Sequence, residues 1–212
     1  VNITLGTHHG CIGDESCSKL ASELYATLST GNYDWPVSIL PLSDLESYLA
    51  AHRTARKRAN RSLRLGYKFR PIDRCDHVDD IYRINTSVPE RQGRPMSAGY
   101  LERPSFTPLP VFLCPRHRIQ AYGVLSPSGH LVAYLVAYTV GELVLISQIL
   151  GHADHLVADV MYLLTLGTLR DTLEHSGAAT VFYNRHDSGT DGLRFFKERL
   201  GFAPERVEWA LA

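Results

Sequence analysis

No run of 18 apolar residues occurs in the chain, so no segment reads as a membrane-spanning helix. No Cys-x-x-Cys pair occurs either. The four cysteines are Cys11, Cys17, Cys75 and Cys114. Cys11 and Cys17 lie too far apart for a zinc-knuckle spacing, and all four read as reduced thiols of a cytosolic protein. An excess of one charge is missing too. The 22 Lys and Arg balance the 22 Asp and Glu, so any attraction to a polyanion has to be local. There is no repeat, no low-complexity tract and no signal-peptide n-region or h-region, although a start at Val1 leaves a removed leader open. What remains is 212 residues, 44% apolar and 21% charged. That is an ordinary globular composition, sized for one domain or for one domain with an extension.

Apolar spacing and turn residues predict the order of elements. "DESCSKLASELYATLSTG" reads as a helix capped by Asp14 or Ser16 and ended by Gly31. The short strand "VSILPL" follows. Ser43 and Glu46 then form a capping-box pattern ahead of a helix running to Leu65, with Gly66 as its stop. "YKFRPI" reads as a strand, and "DHVDDIYRINTSVP" as a helix with Val78, Ile81 and Ile84 on one face. The segment "ERQGRPMSAGYLERPSFTPLP" has the Gly and Pro content of a loop. From Val111 the pattern turns to strands: "VFLCP", "IQAYGVLSP", "HLVAYLVAYTV" and "ELVLISQIL", with tight turns at Ser128-Gly129 and Gly141-Glu142. The central strands are apolar on both faces, which predicts helices on both sides of the sheet. A helix over about 156–175, the buried strand "ATVFYN", the helix "DGLRFFKERLG" and the strand "RVEWALA" complete the chain. The expected fold is α/β (α+β), a mixed and mostly antiparallel sheet flanked by helices. Residues 1–66 are expected as a helical N-terminal extension to a domain over 67–212, or as part of one compact unit with it.

Two motifs carry a family resemblance. The meander ends in Gln148-x-x-Gly151-x-Ala153 just before a helix, and "GLRFFKERLGF" closes a helix with a Gly-Phe pair before the last strand. This order resembles the GNAT acyltransferase fold, in which the first motif binds the pyrophosphate of acyl-coenzyme A. A helix N-terminus suits that task because its N–H groups lack partners and carry partial positive charge. The second motif is similar to the "GLxxFKxxFG"-like stretch of the Fem peptidyltransferases. "RTARKRANRSLRLGYKF" likewise resembles their basic helix. The resemblance covers residues from about 53 onward in two patches. Fem proteins contain two such units, and this chain has room for one.

Two departures stand out. Many GNAT enzymes place a general-acid tyrosine five residues before the Phe of the Gly-Phe pair, and here that position is Lys197. The Fem likeness gives this lysine the role of stabilising charge during acyl transfer. The cradle also carries His152, Asp154 and His155 where Arg, Lys and Gly are usual, and a carboxylate beside a pyrophosphate repels it.

The candidate residues follow. Gln148, Ile149, Leu150, Gly151, His152 and Ala153 form the candidate donor-binding loop. Lys197 is the candidate charge stabiliser. Tyr183 and Asn184 are expected to face the reaction from the strand after the long helix, and His152 or His155 is a candidate general base near neutral pH. His152 and His155 stand three apart beside Asp154, but two histidines without a third convincing ligand are usually not a metal site, so no metal is expected. Arg91, Gln92 and Arg94 sit on a loop stiffened by Pro95, where paired arginines suit a carboxylate or phosphate. The run from Arg53 to Arg70 holds eight basic and no acidic residues, and Arg56, Lys57 and Arg64 share one side of a helix. Cys114 reads as a buried apolar residue, with His117 on the opposite face of an extended strand. The implied reaction moves an acyl or aminoacyl group from acyl-coenzyme A or aminoacyl-tRNA to a small-molecule or peptide amine. The alternative is a non-catalytic module that binds RNA or a nucleotide. A homodimer through an exposed edge strand stays open.

Overall fold

The computed structural model describes residues 1–6, 11, 15–30, 35–177 and 179–212. The expected caps Asp14 and Gly31 lie outside the described residues. The first strand, β1 (Asn2–Leu5), precedes helix α1 (Glu15–Thr30), which buries Cys17, Leu20, Ala21, Leu24 and Leu28 at helical spacing. Strand β2 (Val37–Pro41) leads to α2 (Leu45–Ala51) and α3 (Arg53–Arg64). These two were expected as one helix, but the backbone breaks at His52. The cap also differs from expectation. Asp44, not Ser43, takes the extended N-cap conformation and accepts from the Ser47 N–H at 2.8 Å.

Strand β3 (Lys68–Ile72), a 3₁₀ turn over Arg74–His77 and helix α4 (Val78–Thr86) come next, with Ile81 and Ile84 fully buried. The segment expected as a loop contains a two-residue hairpin, β4 (Glu90–Arg91) and β5 (Arg94–Pro95). Gln92 and Gly93 both have positive φ, +55° and +74°, as a type I′ turn requires. A short helix, α5 (Ala98–Leu101), follows. "VFLCP" does not form the expected strand, and Val111 and Leu113 are both 91% exposed. Without a neighbouring strand its backbone has no ladder to join.

The meander is as expected: β6 (His117–Leu125), β7 (Leu131–Val140) and β8 (Leu143–Gly151) pair antiparallel. A 3₁₀ turn (Ala153–Ala158) and helix α6 (Val160–Ser176) connect β8 to β9 (Thr180–Arg185), which pairs with it in parallel. Helix α7 (Asp191–Arg199) and strands β10 (Ala203–Glu205) and β11 (Glu208–Leu211) end the chain.

Seven strands form the central sheet in the order β10-β2-β9-β8-β7-β6-β3. The expected extension is therefore built into the sheet: β2 lies between β9 and β10, and β1 pairs in parallel with β11. Strand β7 shows why both faces need cover. Its Ala133, Leu135 and Ala137 belong to a core shared with Ala55 and Ala59 of α3 and Leu164 of α6. Its Tyr134 and Val136 pack with Ile81 and Ile84 of α4, and Val140 packs with the apolar face of α1. The alternation along one strand thus feeds separate clusters on opposite faces. Among the described residues, no helix is long and apolar enough to cross a membrane.

Candidate active site

Two backbone features open the sheet at one end. The parallel register of β8 and β9 runs from Leu143↔Thr180 to Leu145↔Phe182 and stops there. On the other side of β8, the pairing with β7 steps from Ala137↔Ile146 to Val136↔Gln148, which leaves Ser147 as a bulge. A bulge re-aims the strand beyond it. The strands diverge, and a cavity of about 600 Å³ lies between them. Its wall includes Arg91, Gln92 and Arg94 from the β4–β5 hairpin, Tyr100 of α5, Ile149 to Gly151 of β8, and Tyr183 of β9. A smaller recess of about 170 Å³ shares Gln92, Tyr100 and Tyr183, and adds Gln148, Asn184 and Lys197.

Lys197 has no solvent exposure. Helix α7 carries it to the recess, where its Nζ donates to the Arg185 carbonyl at 2.5 Å and lies 4.8 Å from the centre of the Tyr183 ring. Burial disfavours the ammonium and pulls its pKa down to about 8, with Asp187 opposing weakly. Tyr183 is itself buried, which pushes its phenol above the usual range. Asn184 next to it has φ +48° and its Oδ1 accepts from the Arg185 N–H. Asn is among the few residues that tolerate this conformation. Gln148 Nε2 donates to the Tyr100 hydroxyl at 3.4 Å.

Arg91 is anchored. Its Nη1 donates to the Gly151 carbonyl at 2.9 Å, and its Nη2 donates to the Ile84 carbonyl and the Ser87 Oγ at 2.7 and 2.8 Å. Its side chain thus ties the hairpin to α4 and the end of β8, whereas Arg94 is exposed at the cavity wall. Gly189 explains how the loop before α7 closes against this hairpin. A Cβ there meets Gln92 Oε1 at 2.9 Å, and its φ is +86°.

The loop after Gly151 differs from a simple helix N-terminus. A 3₁₀ turn intervenes before α6. The N–H groups of His152, Ala153 and His155 donate to the Val132 carbonyl, the Ser87 Oγ and the His152 carbonyl at 2.7, 3.2 and 3.0 Å. The Asp154 N–H donates to His152 Nδ1 at 3.4 Å, while the Asp154 carboxyl points outward at 86% exposure. His152 and His155 stack edge to face at 5.6 Å, and the Tyr67 hydroxyl pairs with His155 Nδ1 at 2.8 Å. Burial lowers the pKa of His155. Neither histidine lines the cavity.

The basic helix stands apart from the cavity. Arg58 and Arg61 bind the Asp159 carboxylate at 2.8 and 3.0 Å, just before α6, where Asp159 itself has φ +61°. Arg53, Arg56, Lys57 and Arg64 are exposed, and Arg56 lines a separate groove between α3 and α6. The fold therefore gathers Gln148, Ile149, Leu150, Gly151, Ala153, Tyr183, Asn184, Lys197, Arg91, Gln92 and Arg94, and separates them from His152, Arg56, Lys57 and Arg64. Tyr100 was missed from the sequence, since α5 lies inside a Pro- and Gly-rich stretch with no helical period.

The sequence also missed a second cluster at the opposite end of the sheet. Cys114 is not in a strand. The turn Cys114-Pro115-Arg116-His117 folds back, with the His117 N–H donating to the Cys114 carbonyl at 3.1 Å, so both side chains reach the same side. Cys114 Sγ and His117 Nδ1 are 3.4 Å apart, and Cys11 and Cys17 lie beside them.

No family model matches the chain, and no curated protein does. Solved structures do. The chain is similar to FemX at 11% identity and a TM-score of 0.60, with 80% of this chain and 59% of FemX covered. It is similar to the C-terminal domain of a protein from Agrobacterium fabrum assigned as a lysylphosphatidylglycerol synthetase, at 15% identity and a TM-score of 0.51, covering 81% and 58%. A conserved protein of unknown function from Bacteroides thetaiotaomicron matches at 14% identity and a TM-score of 0.52, covering 86% and 64%. The chain thus spans under two thirds of the length of these proteins. It has the GNAT fold, a mostly antiparallel sheet between helices that splays beside the parallel pair β8–β9.

Proposed function

We propose that the chain transfers an aminoacyl group to an amine, with an aminoacyl ester of tRNA as the donor. The observation that carries this reading is the placement of Lys197 at the floor of the recess between the diverging strands. In this reading the buried ammonium meets the carbonyl of a donor that enters the recess. Attack by the amine nitrogen on the ester carbonyl forms the C–N bond and puts negative charge on oxygen. A fixed, buried cation stabilises that charge with little reorganisation. Collapse breaks the C–O bond. The ribose oxygen leaves and takes up a proton from the lysine, and the amine gives its proton back to the lysine, which restores the ammonium. A lysine with a pKa near 8 sits close to working pH and is suited to supply that proton. A cavity of about 600 Å³ has room for a donor ester and an amine side by side, and holding the two in line would account for rate without a covalent intermediate.

Two features favour an aminoacyl ester over acyl-coenzyme A. A pyrophosphate at Gly151 to His155 needs backbone N–H groups that are free, and those of His152 to His155 are already paired inside the protein. The exposed basic side of α3 supplies Arg53, Arg56, Lys57 and Arg64 for a phosphate backbone, in a chain with no net charge. The likeness to FemX and to a protein named for lysyl transfer to a lipid supports the same class.

Thermal shift against coenzyme A and against uncharged tRNA tests the donor. The expected result is no shift with coenzyme A and salt-sensitive stabilisation with tRNA. Stabilisation by coenzyme A overturns the donor assignment. Salt-sensitive tRNA binding without amine-dependent turnover leaves an RNA-binding module instead.

A further inference from the structure

We propose that Cys11, Cys17, Cys114 and His117 form a structural zinc site that fastens α1 to the start of β6. The ligand atoms of these four residues all lie within 4.8 Å of one another, and all four residues are buried. Cys11 Sγ is 3.2 Å from Cys114 Sγ and 3.3 Å from His117 Nδ1, and Cys114 Sγ is 3.4 Å from the same nitrogen. Tetrahedral zinc holds sulfur at about 2.3 Å and nitrogen at about 2.0 Å, which sets edges of roughly 3.8 Å between sulfurs and 3.5 Å between sulfur and nitrogen. The two sulfur–nitrogen separations thus stand within about 0.2 Å of a zinc polyhedron's edges, and the sulfur pair is about 0.6 Å short of its edge, a gap that small rotations of the two cysteine side chains close. The Sγ separation is far beyond a disulfide bond of about 2.05 Å.

Chemistry narrows the choice of ion. Three thiolates and one imidazole are soft and borderline donors, suited to zinc and poorly suited to calcium or magnesium. Four protein ligands leave no open position for water, which is the pattern of a structural rather than a catalytic zinc. Binding replaces three S–H bonds with three Zn–S bonds and releases three protons to solvent. Nδ1 gives its lone pair to the metal, so the ring proton resides on Nε2. The four residues come from two places far apart in sequence. Cys11 and Cys17 flank the start of α1, and Cys114 and His117 sit on the turn that enters β6. The remaining cysteine, Cys75, is elsewhere, with its Sγ donating to the Phe106 carbonyl at 3.6 Å. It provides an internal control.

The test begins with metal content and zinc-edge X-ray absorption of the whole chain, purified under reducing conditions with zinc in the growth medium. The expected result is one zinc per chain with three sulfur neighbours and one nitrogen neighbour. Cys75→Ser retains the metal, and Cys17→Ser and His117→Gln lose most of it. Where those variants do not fold, the wild-type chain gives the same answer. Its three cluster thiols resist a thiol reagent until a zinc-chelating dye removes the metal, and one zinc is released as three thiols become reactive. A folded, zinc-supplied chain free of metal overturns the proposal. So does zinc bound through oxygen and nitrogen alone, and so does a disulfide between Cys11 and Cys114 in chain never exposed to oxidant.

Discussion

The two ends of the central sheet use buried polar groups in opposite ways. At the splayed end, β8 and β9 part beyond Leu145 and Phe182, and Lys197 lies beneath an open recess. At the other end, Cys11, Cys17, Cys114 and His117 close on one another. A buried ammonium that faces a cavity keeps its proton weakly and stays available to a ligand. Four buried ligands that face each other stay available only to an ion. The contrast separates a place where chemistry is possible from a place where the fold is held shut.

The largest effect is expected at the open end. Lys197→Met keeps the shape of the side chain and removes its charge, and aminoacyl transfer is expected to fall by roughly 10²–10³-fold. The circular dichroism spectrum should not change. A fall of less than threefold would remove Lys197 from the chemistry.

The next test concerns pH. Lys197 holds its proton with a pKa of about 8 in the fold, against an ordinary value of 10.5. Between these values the unfolded chain binds the extra proton, so stability rises as pH climbs from about 8 to about 10.5. The gain is on the order of 3 kcal/mol. Urea melts across that range should show the rise in the wild type, and a flatter curve in Lys197→Met.

Arg91→Ala is expected to destabilise the chain by about 1–3 kcal/mol in the same melts, because the Gly151 and Ile84 carbonyls lose a charged donor. It should also raise the KM for the donor, since the hairpin that walls the cavity loses its anchor. A smaller loss, about 1 kcal/mol, is expected for Asp159→Asn. The asparagine tolerates φ +61° but gives up the charge shared with Arg58 and Arg61, both of which are substantially exposed. Arg56→Ala with Arg64→Ala should leave the melting curve within about 0.5 kcal/mol of the wild type. Their effect is expected in the salt dependence of tRNA binding, whose slope should fall by roughly one for each phosphate left without its arginine.

Much of the candidate site's placement was legible because local patterns carry it. The meander shows its turns through Ser128-Gly129 and Gly141-Glu142, and Lys197 stands at a fixed distance before the Gly201-Phe202 pair. What was not legible depends on contacts distant in sequence. Nothing in "VSILPL" says that β2 fits between β9 and β10, because any apolar strand of that length satisfies the same pattern. The hairpin at Gln92-Gly93 hid in a stretch dense with Gly and Pro. The Gln148-x-x-Gly151-x-Ala153 pattern reads as a donor-binding loop between a strand and a helix, and the pairing of its N–H groups with Ser87 and Val132 is invisible from spacing. The cysteine and histidine cluster failed for the same reason. Cys-x₅-Cys and Cys-x₂-His are uninformative singly, and only the packing of α1 beside the entry to β6 joins them.

Amine-dependent loss of a labelled aminoacyl group from tRNA, followed from about pH 6 to about pH 9.5 with wild type and Lys197→Met, is the most direct measurement. Hydroxylamine serves as acceptor, because it is unprotonated at neutral pH, and the uncatalysed rate is subtracted. The wild-type rate should fall as pH rises through about 8, when Lys197 loses its proton, and the variant should show little rate and no such break. Equal rates for the two proteins across that range, or no protein-dependent loss at all, would contradict a transfer site built on Lys197.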